Sequence, residues 1–279
     1  MNQTPDRTRR QPIQLRQSNI KPMSAHLNRF YDKVMYAPSV DGLYAGSDFH
    51  NLGYWRLETR SQQEACENLM ETLLAFIPKK EGMVLDVACG KGASTRYLSK
   101  YYPAQNITGI NISKKQLERC RGNAPGCTFL LMDATRLDFP SAAFDLVLCV
   151  EAAFHFDTRD DFLSEAFRVL KPGGRLILSD ILVTRWCANS ANLWIADNYI
   201  ENPQHYRARF RVMGFRDVEV IDATNECWIG CYNHRLETLE KRLQRGQVKP
   251  LTLQLRTERI FRKCRRTKSY LLVSARKPQ

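Results

Sequence analysis

Hydrophobic and polar positions follow two different periods along this chain. Up to about residue 80 the apolar positions recur at helical spacing, first over Ala25 to Met35 and then over Ser61 to Ile77, where Leu69, Leu73, Leu74 and Ile77 share a face. The second helix opens on Ser61-Gln62-Gln63-Glu64, a Ser-x-x-Glu capping box, and Pro78 ends it. The stretch between them, Asp41 to Trp55, is rich in Gly and aromatic residues and reads as an ordered loop. From Met83 short apolar runs alternate with helical ones, the pattern of a mostly parallel sheet with crossover helices on both faces.

The candidate strands are Met83 to Val87, Asn106 to Ile110, Cys127 to Met132, Phe144 to Val150, Arg175 to Ser179, Val218 to Ile221 and Ser269 to Ala275. Helices are predicted at Ala93 to Lys100, Ser113 to Cys120, Arg159 to Val169 and Gln204 to Met213. Lys171-Pro172-Gly173-Gly174 supplies a turn between a helix and a buried strand. Two insertions, Thr184 to Pro203 and the mostly helical Cys227 to Lys268, are placed to cover the carboxyl edge of the sheet together with the N-terminal helices.

The 279 residues, 43% hydrophobic and 25% charged, are ordinary for a globular chain and exclude wholesale disorder. The charge is less ordinary: 42 Lys and Arg against 29 Asp and Glu give +13. Residues 1–33 hold seven basic and two acidic side chains and 235–279 hold fourteen and three, so the stretch between them carries a net −3. A nucleic-acid reading suggested by the total therefore rests on the ends alone. No apolar run approaches the roughly 18 to 20 residues needed to cross a bilayer, and the polar start has no signal-peptide core, so a cytoplasmic protein with a mobile N-terminal tail is expected. The nine cysteines are odd in number, lack a C-x-x-C pair and fall mostly in apolar runs, as buried thiols do in a reducing compartment. Cys227, Cys231 and His234 lack a fourth ligand at zinc-motif spacing, so no metal is expected.

The segment Val84-Leu85-Asp86-Val87-Ala88-Cys89-Gly90-Lys91-Gly92-Ala93 runs an apolar strand into a glycine-containing turn that opens a helix, where backbone can approach a ligand closely. It fails as a dinucleotide fingerprint, because Thr95 stands where a third glycine is required. Asp86 to Gly92 resembles the first motif of the class I S-adenosylmethionine-dependent methyltransferases. Thr108 to Ser113, Met132-Asp133-Ala134, Phe144 to Val147 and Leu170 to Gly174 follow in that family's order. The resemblance implies a Rossmann-like seven-stranded sheet with a helical cap, and S-adenosylmethionine as cofactor. Asp86, Gly90 and Gly92 would lie against its methionine part, Asn111 and Gln116 near the ribose, and Asp133 and Ala134 at the adenine, with Ala88 and Ile112 also among the cofactor-binding residues. Asn111 departs from the family's usual acid, and an amide retains both donor and acceptor. Gln116 fits ribose contact and a capping box with Ser113 equally well.

His155 follows the fourth strand in Glu151-Ala152-Ala153-Phe154-His155, which resembles the E-x-x-x-H segment of small-molecule O-methyltransferases that tailor polyketides, macrolides and peptide–polyketides. An alcohol must lose its proton as the new O–C bond forms, so a general base is needed, with His155 the candidate and Asp180 at the next strand end placed to orient it. Phe49 to Trp55 resembles the N-x-G-Y-W element of the same enzymes. Tyr31, Tyr54, Trp55, Glu151, Trp186, Trp194 and Tyr199 are the candidate substrate and lid residues, with aromatic core packing as the alternative for each ring. Tocopherol and sterol C-methyltransferases are a more distant likeness. The domains expected are a basic tail (1–24), a helical lid (25–80), a cofactor core (81–225), a basic helical insertion (226–268) and a final strand (269–279). The reaction expected is methyl transfer to a hydroxyl of a small secondary metabolite. C-methylation of a lipid-like acceptor, an RNA-directed role and a non-catalytic cofactor-binding role are the alternatives. The basic insertion is a solvated face or a dock for an acidic carrier protein.

Overall fold

The computed structural model describes residues 22–37, 44, 46–190 and 196–279. The order begins α1 (Pro22–Met35), α2 (Gln62–Leu74), β1 (Val84–Val87), α3 (Ala93–Leu98), β2 (Ile107–Asn111) and α4 (Lys114–Asn123). It continues β3 (Thr128–Leu131), β4 (Phe144–Val150), α5 (Arg159–Val169), β5 (Leu170–Val183), α6 (Arg185–Ser190) and α7 (Pro203–Val212). Last come β6 (Arg216–Asp222), a π turn (Thr224–Ile229), α8 (Gly230–Gln244), α9 (Pro250–Cys264) and β7 (Thr267–Arg276).

The seven strands form one sheet in the order β3-β2-β1-β4-β5-β7-β6, parallel except for β7, which runs antiparallel to both β5 and β6. All four residues of β1 and all five of β2 are buried, as expected of strands covered on both faces. One core layer packs α2 and α3 on the sheet through Leu69, Leu73, Tyr97 and Leu98; the other packs α5 and α7 through Phe162, Leu163, Tyr206 and Phe210. The order reverses between β1 and β2 on one side and β4 on the other, and a ligand crevice opens at the carboxyl ends of strands at such a point.

The edges of β4 and α5 fall where the apolar pattern puts them. β5 is longer than expected because it pairs with β7 from Arg175 to Val183, and Lys171 to Gly174 sits inside its bounds as an irregularity against β4. Ser61 caps α2 by accepting from the Glu64 N–H, but the Glu64 carboxylate accepts from the N–H of Arg60 instead of closing a box with Ser61. A reciprocal box forms at α5, between Thr158 and Asp161. Among the described residues no helix is long and apolar enough to cross a membrane.

Candidate active site

A cavity opens at the carboxyl ends of β1, β2, β3 and β4, lined there by Ala88, Asn111, Asp133 and Glu151. Its roof is the N-terminal segment: Leu27, Tyr31 and Met35 from one stripe of α1, then Phe49, His50 and Asn51 from the following loop. The spacing of 27, 31 and 35 is four residues, which places them on one helical face.

The turn after β1 is built for close approach. Gly90 has φ of +56°, lines the cavity, and a Cβ added there would meet no atom within 4 Å, so any side chain would occupy ligand space. Its carbonyl accepts from Asn111 Nδ2 (3.1 Å) and from Cys120 Sγ (3.2 Å), which fixes the turn to β2 and α4. Gly92, at φ of +87°, caps α3 and packs on Cys120 without lining the cavity.

Asp86 does not face the cavity. It is buried and accepts from Ser94 Oγ (2.8 Å) and Thr95 Oγ1 (2.6 Å), and burial pushes its carboxyl up to about 6. It tethers α3 to β1, a correction of the expected methionine contact. Asn111 donates to Gly90 and to Gln116 Oε1 (3.0 Å) and accepts from the Ser113 N–H. The Ser113 hydroxyl caps α4, while the Gln116 side chain joins Asn111 and Asp32 and lines the cavity. That separates the two readings of Gln116: its backbone is capped, but its amide belongs to the cavity network. Ile112 and Ala134 line the cavity, as does Asp133, which accepts from the N–H (2.9 Å) and hydroxyl (2.8 Å) of Thr135.

His155 lies on the cavity wall with its Nε2 hydrogen-bonded to the Tyr31 hydroxyl, the ring centroids 5.2 Å apart. Burial drives the Tyr31 phenol far above its ordinary range, so it stays protonated. Asp180 is not the partner of His155. Its carboxylate takes Arg159 Nε (2.7 Å), the Tyr206 hydroxyl (2.7 Å) and the Ile181 N–H (2.9 Å) in a fully buried cluster that ties α5 and α7 to β5. The expected orienting role therefore falls away: the Arg159 guanidinium compensates the buried charge, and the phenol of Tyr31 meets the imidazole.

Glu151 lines the cavity and accepts from the Leu52 N–H (2.8 Å) and the Tyr270 hydroxyl (2.9 Å). Burial outweighs these contacts and pushes its carboxyl up to about 7 from an ordinary 4.5. Between those two values the folded chain holds a proton that the unfolded chain has lost, so the contribution of Glu151 to stability declines as pH rises through that window. Glu151→Gln is expected to raise the thermal midpoint relative to the unaltered chain more at about pH 8 than at about pH 4. A gap that does not change with pH would contradict the shift.

Among the described residues, Tyr31 alone of the expected lid aromatics lines the cavity. Trp55 points away: its Nε1 donates to Leu52 O (2.9 Å), its ring stacks on His234 at 4.3 Å, and Gly230 packs on its Cβ, so it clamps the N-terminal loop to α8. Tyr54 packs on the core layer beneath α2, with its N–H on Ala65 O. Trp186 is 63% exposed under Arg266, and Tyr199 lies under Arg185. Trp194 falls outside the described residues. Cys227 and Cys231 are buried, and Cys231 Sγ donates to Gln62 Oε1.

Several cavity residues escape the sequence reading. His50 lines the roof, and burial, reinforced by the charge of Lys91, drives its imidazole down to about 4. Lys91 is buried with its Nζ 3.2 Å from Asp48. Burial alone would raise the Asp48 carboxyl, but hydrogen bonds from Arg119, Lys91 and Asn123 outweigh it and hold it below its ordinary value. The visible signal for the roof was the four-residue stripe on α1, which marks a face but not what it covers.

The family described as "Methyltransferase domain" matches residues 85–178, from β1 into β5. An O-methyltransferase, cnsE, of Penicillium expansum is 30% identical over 216 residues, 72% of this chain and 76% of its own. A 27-O-demethylrifamycin SV methyltransferase of Amycolatopsis mediterranei (strain S699) is 34% identical over 170 residues, which span 58% of this chain and 61% of that enzyme's length. Among solved structures, the [4+2]-cyclase SpnF superposes with a TM-score of 0.70 at 21% identity, covering 92% of this chain and 97% of the cyclase. The chain belongs to the class I S-adenosylmethionine-dependent methyltransferases.

Proposed function

We propose that the protein transfers a methyl group from S-adenosylmethionine to a hydroxyl oxygen of a small secondary metabolite, with His155 as the general base. The observation that carries this reading is the hydroxyl of Tyr31 seated on His155 Nε2 inside the cavity. A protonated phenol in that seat occupies the position an acceptor hydroxyl needs for its proton to pass to the imidazole as the O–C bond forms. The bound cofactor supplies an electrophilic methyl, so the residues mainly hold and orient the reactants. Gly90, Asn111, Gln116 and Asp133 fit the cofactor by their position on the cavity wall and their donor and acceptor chemistry. The roof from α1 and Phe49 to Asn51 covers the cavity, and such a cover serves to limit water at the reacting atoms. The named O-methyltransferase relatives support the choice of oxygen.

A carrier-bound acceptor is a second reading, favoured by α9. Leu251 and Leu255 are 63% and 55% exposed on this helix, beside Arg259 and Arg262, a surface whose sign suits an acidic carrier protein.

The test is incubation with methyl-labelled cofactor and a metabolite extract, followed by solvent partition. Label is expected in small organic molecules. Label confined to RNA, or cofactor binding without turnover, would overturn the proposal.

A further inference from the structure

The ribose end of the cavity lacks the acid expected at the end of β2, and the amide in its place has both of its donor hydrogens committed. Both Nδ2 hydrogens of Asn111 are taken, by Gly90 O and Gln116 Oε1, and its Oδ1 already accepts from the Ser113 N–H. A ribose presents two hydroxyls, each needing an acceptor. The carboxylate that joins this network comes from a different part of the chain. Asp32 on α1 accepts from Gln116 Nε2 (2.9 Å) and from the Ser113 hydroxyl on the same Oδ1.

This contact decides which way the Gln116 amide faces. A carboxylate cannot donate, so Nε2 must turn to Asp32, and Oε1 must then turn to Asn111. Two carbonyl oxygens, of Asn111 and Gln116, each keep one lone pair on the cavity wall. One turn before Asp32 on the same face, Asn28 donates from Nδ2 to Ile112 O (3.2 Å), which leaves its Oδ1 buried without a partner among the described residues. One turn after it, the Tyr36 hydroxyl donates to Lys115 O (3.1 Å). Residues 28, 32 and 36 thus seat α1 along the β2–α4 turn, while 27, 31 and 35 face the cavity.

We infer that the N-terminal helix completes the cofactor's ribose subsite, with Asp32 acting as the positioning residue that orients Gln116 and Asn28 offering a further acceptor, in place of an acid on β2. A vicinal diol is the ligand chemistry these three acceptors suit. Because Tyr31 on the same helix meets His155, seating α1 on the diol also sets the partner of the base. The inference rests on the methyltransferase reading.

The experiment is calorimetric titration of the full chain and of Asp32→Ala with S-adenosylhomocysteine and with its 2′,3′-dideoxy analogue. Asp32→Ala is expected to weaken S-adenosylhomocysteine about tenfold, a loss of about 1.4 kcal/mol, and to leave the affinity for the dideoxy analogue unchanged. Asp32→Asn, which keeps the shape but cannot enforce the amide's orientation, is expected to give a smaller loss with the same ligand dependence. Equal losses for both ligands would make Asp32 merely structural and overturn the inference, as would no loss at all. Failure of the unaltered chain to bind S-adenosylhomocysteine would overturn the methyltransferase reading, and the inference with it.

Discussion

Replacing His155 by alanine is expected to lower turnover by about 10²- to 10⁴-fold while leaving the dissociation constant for S-adenosylhomocysteine within about twofold. The first figure is the ordinary worth of a positioned general base, and corresponds to about 3 to 5.5 kcal/mol of barrier. The second follows from position. His155 contacts Tyr31 and the ring of Phe154, whereas the acceptors assigned to the ribose lie on β2, α4 and α1. Single-turnover rates and calorimetric titration of one preparation separate the two quantities. Unchanged turnover would remove His155 from the chemistry; a parallel loss of cofactor affinity would make its role a packing one.

The second large effect concerns folding. Arg159→Met strands the Asp180 carboxylate in the cluster between α5, α7 and β5 with only the Tyr206 hydroxyl and one backbone N–H for company. Removing one partner of a buried pair leaves an uncompensated charge, and a loss of about 3–5 kcal/mol in urea unfolding is expected. The double variant Arg159→Met with Asp180→Leu is expected to recover most of it, since neither charge then remains buried. Rates per folded molecule should stay near those of the unaltered chain. A stable Arg159→Met with a displaced pH–rate profile would return Asp180 to the active site.

The difference between these two residues shows what the sequence could and could not reveal. The strand-turn-helix unit around Gly90 was legible, because an apolar run, a glycine needing positive φ and a helix start are all local features. The same holds for β4, a continuous apolar run bounded by turns, and for the N-caps Ser61 and Ser113. Which neighbour an acid at a strand end selects is not local. Asp180 and Arg159 lie 21 positions apart and meet because α5 folds back on the sheet and delivers a guanidinium from its first turn. Which of the candidate aromatics line the cavity and which pack in the core was not legible, for the same reason. Phe49 and His50 enter the cavity while Tyr54 and Trp55 leave it, a matter of the path the loop takes past α2 and α8. Asp32 sat on a visible polar stripe with Asn28 and Tyr36, but the turn that the stripe docks against is some 80 residues away.

The basic excess after residue 234 has no part in the cavity. Of the fourteen Lys and Arg after residue 234, none lines it, and α9 carries its arginines on a face directed to solvent. An acidic partner drawn by this segment would therefore meet the protein beside the site rather than in it.

The measurement that bears most directly on the proposed reaction is the fate of a ¹³C-methyl group carried by S-adenosylmethionine, read by NMR of the purified product. The expected result is a methyl carbon bonded to oxygen in a small metabolite, formed by the unaltered chain and lost with His155→Ala. A methyl carbon bonded to carbon, formed equally by both proteins, would contradict it.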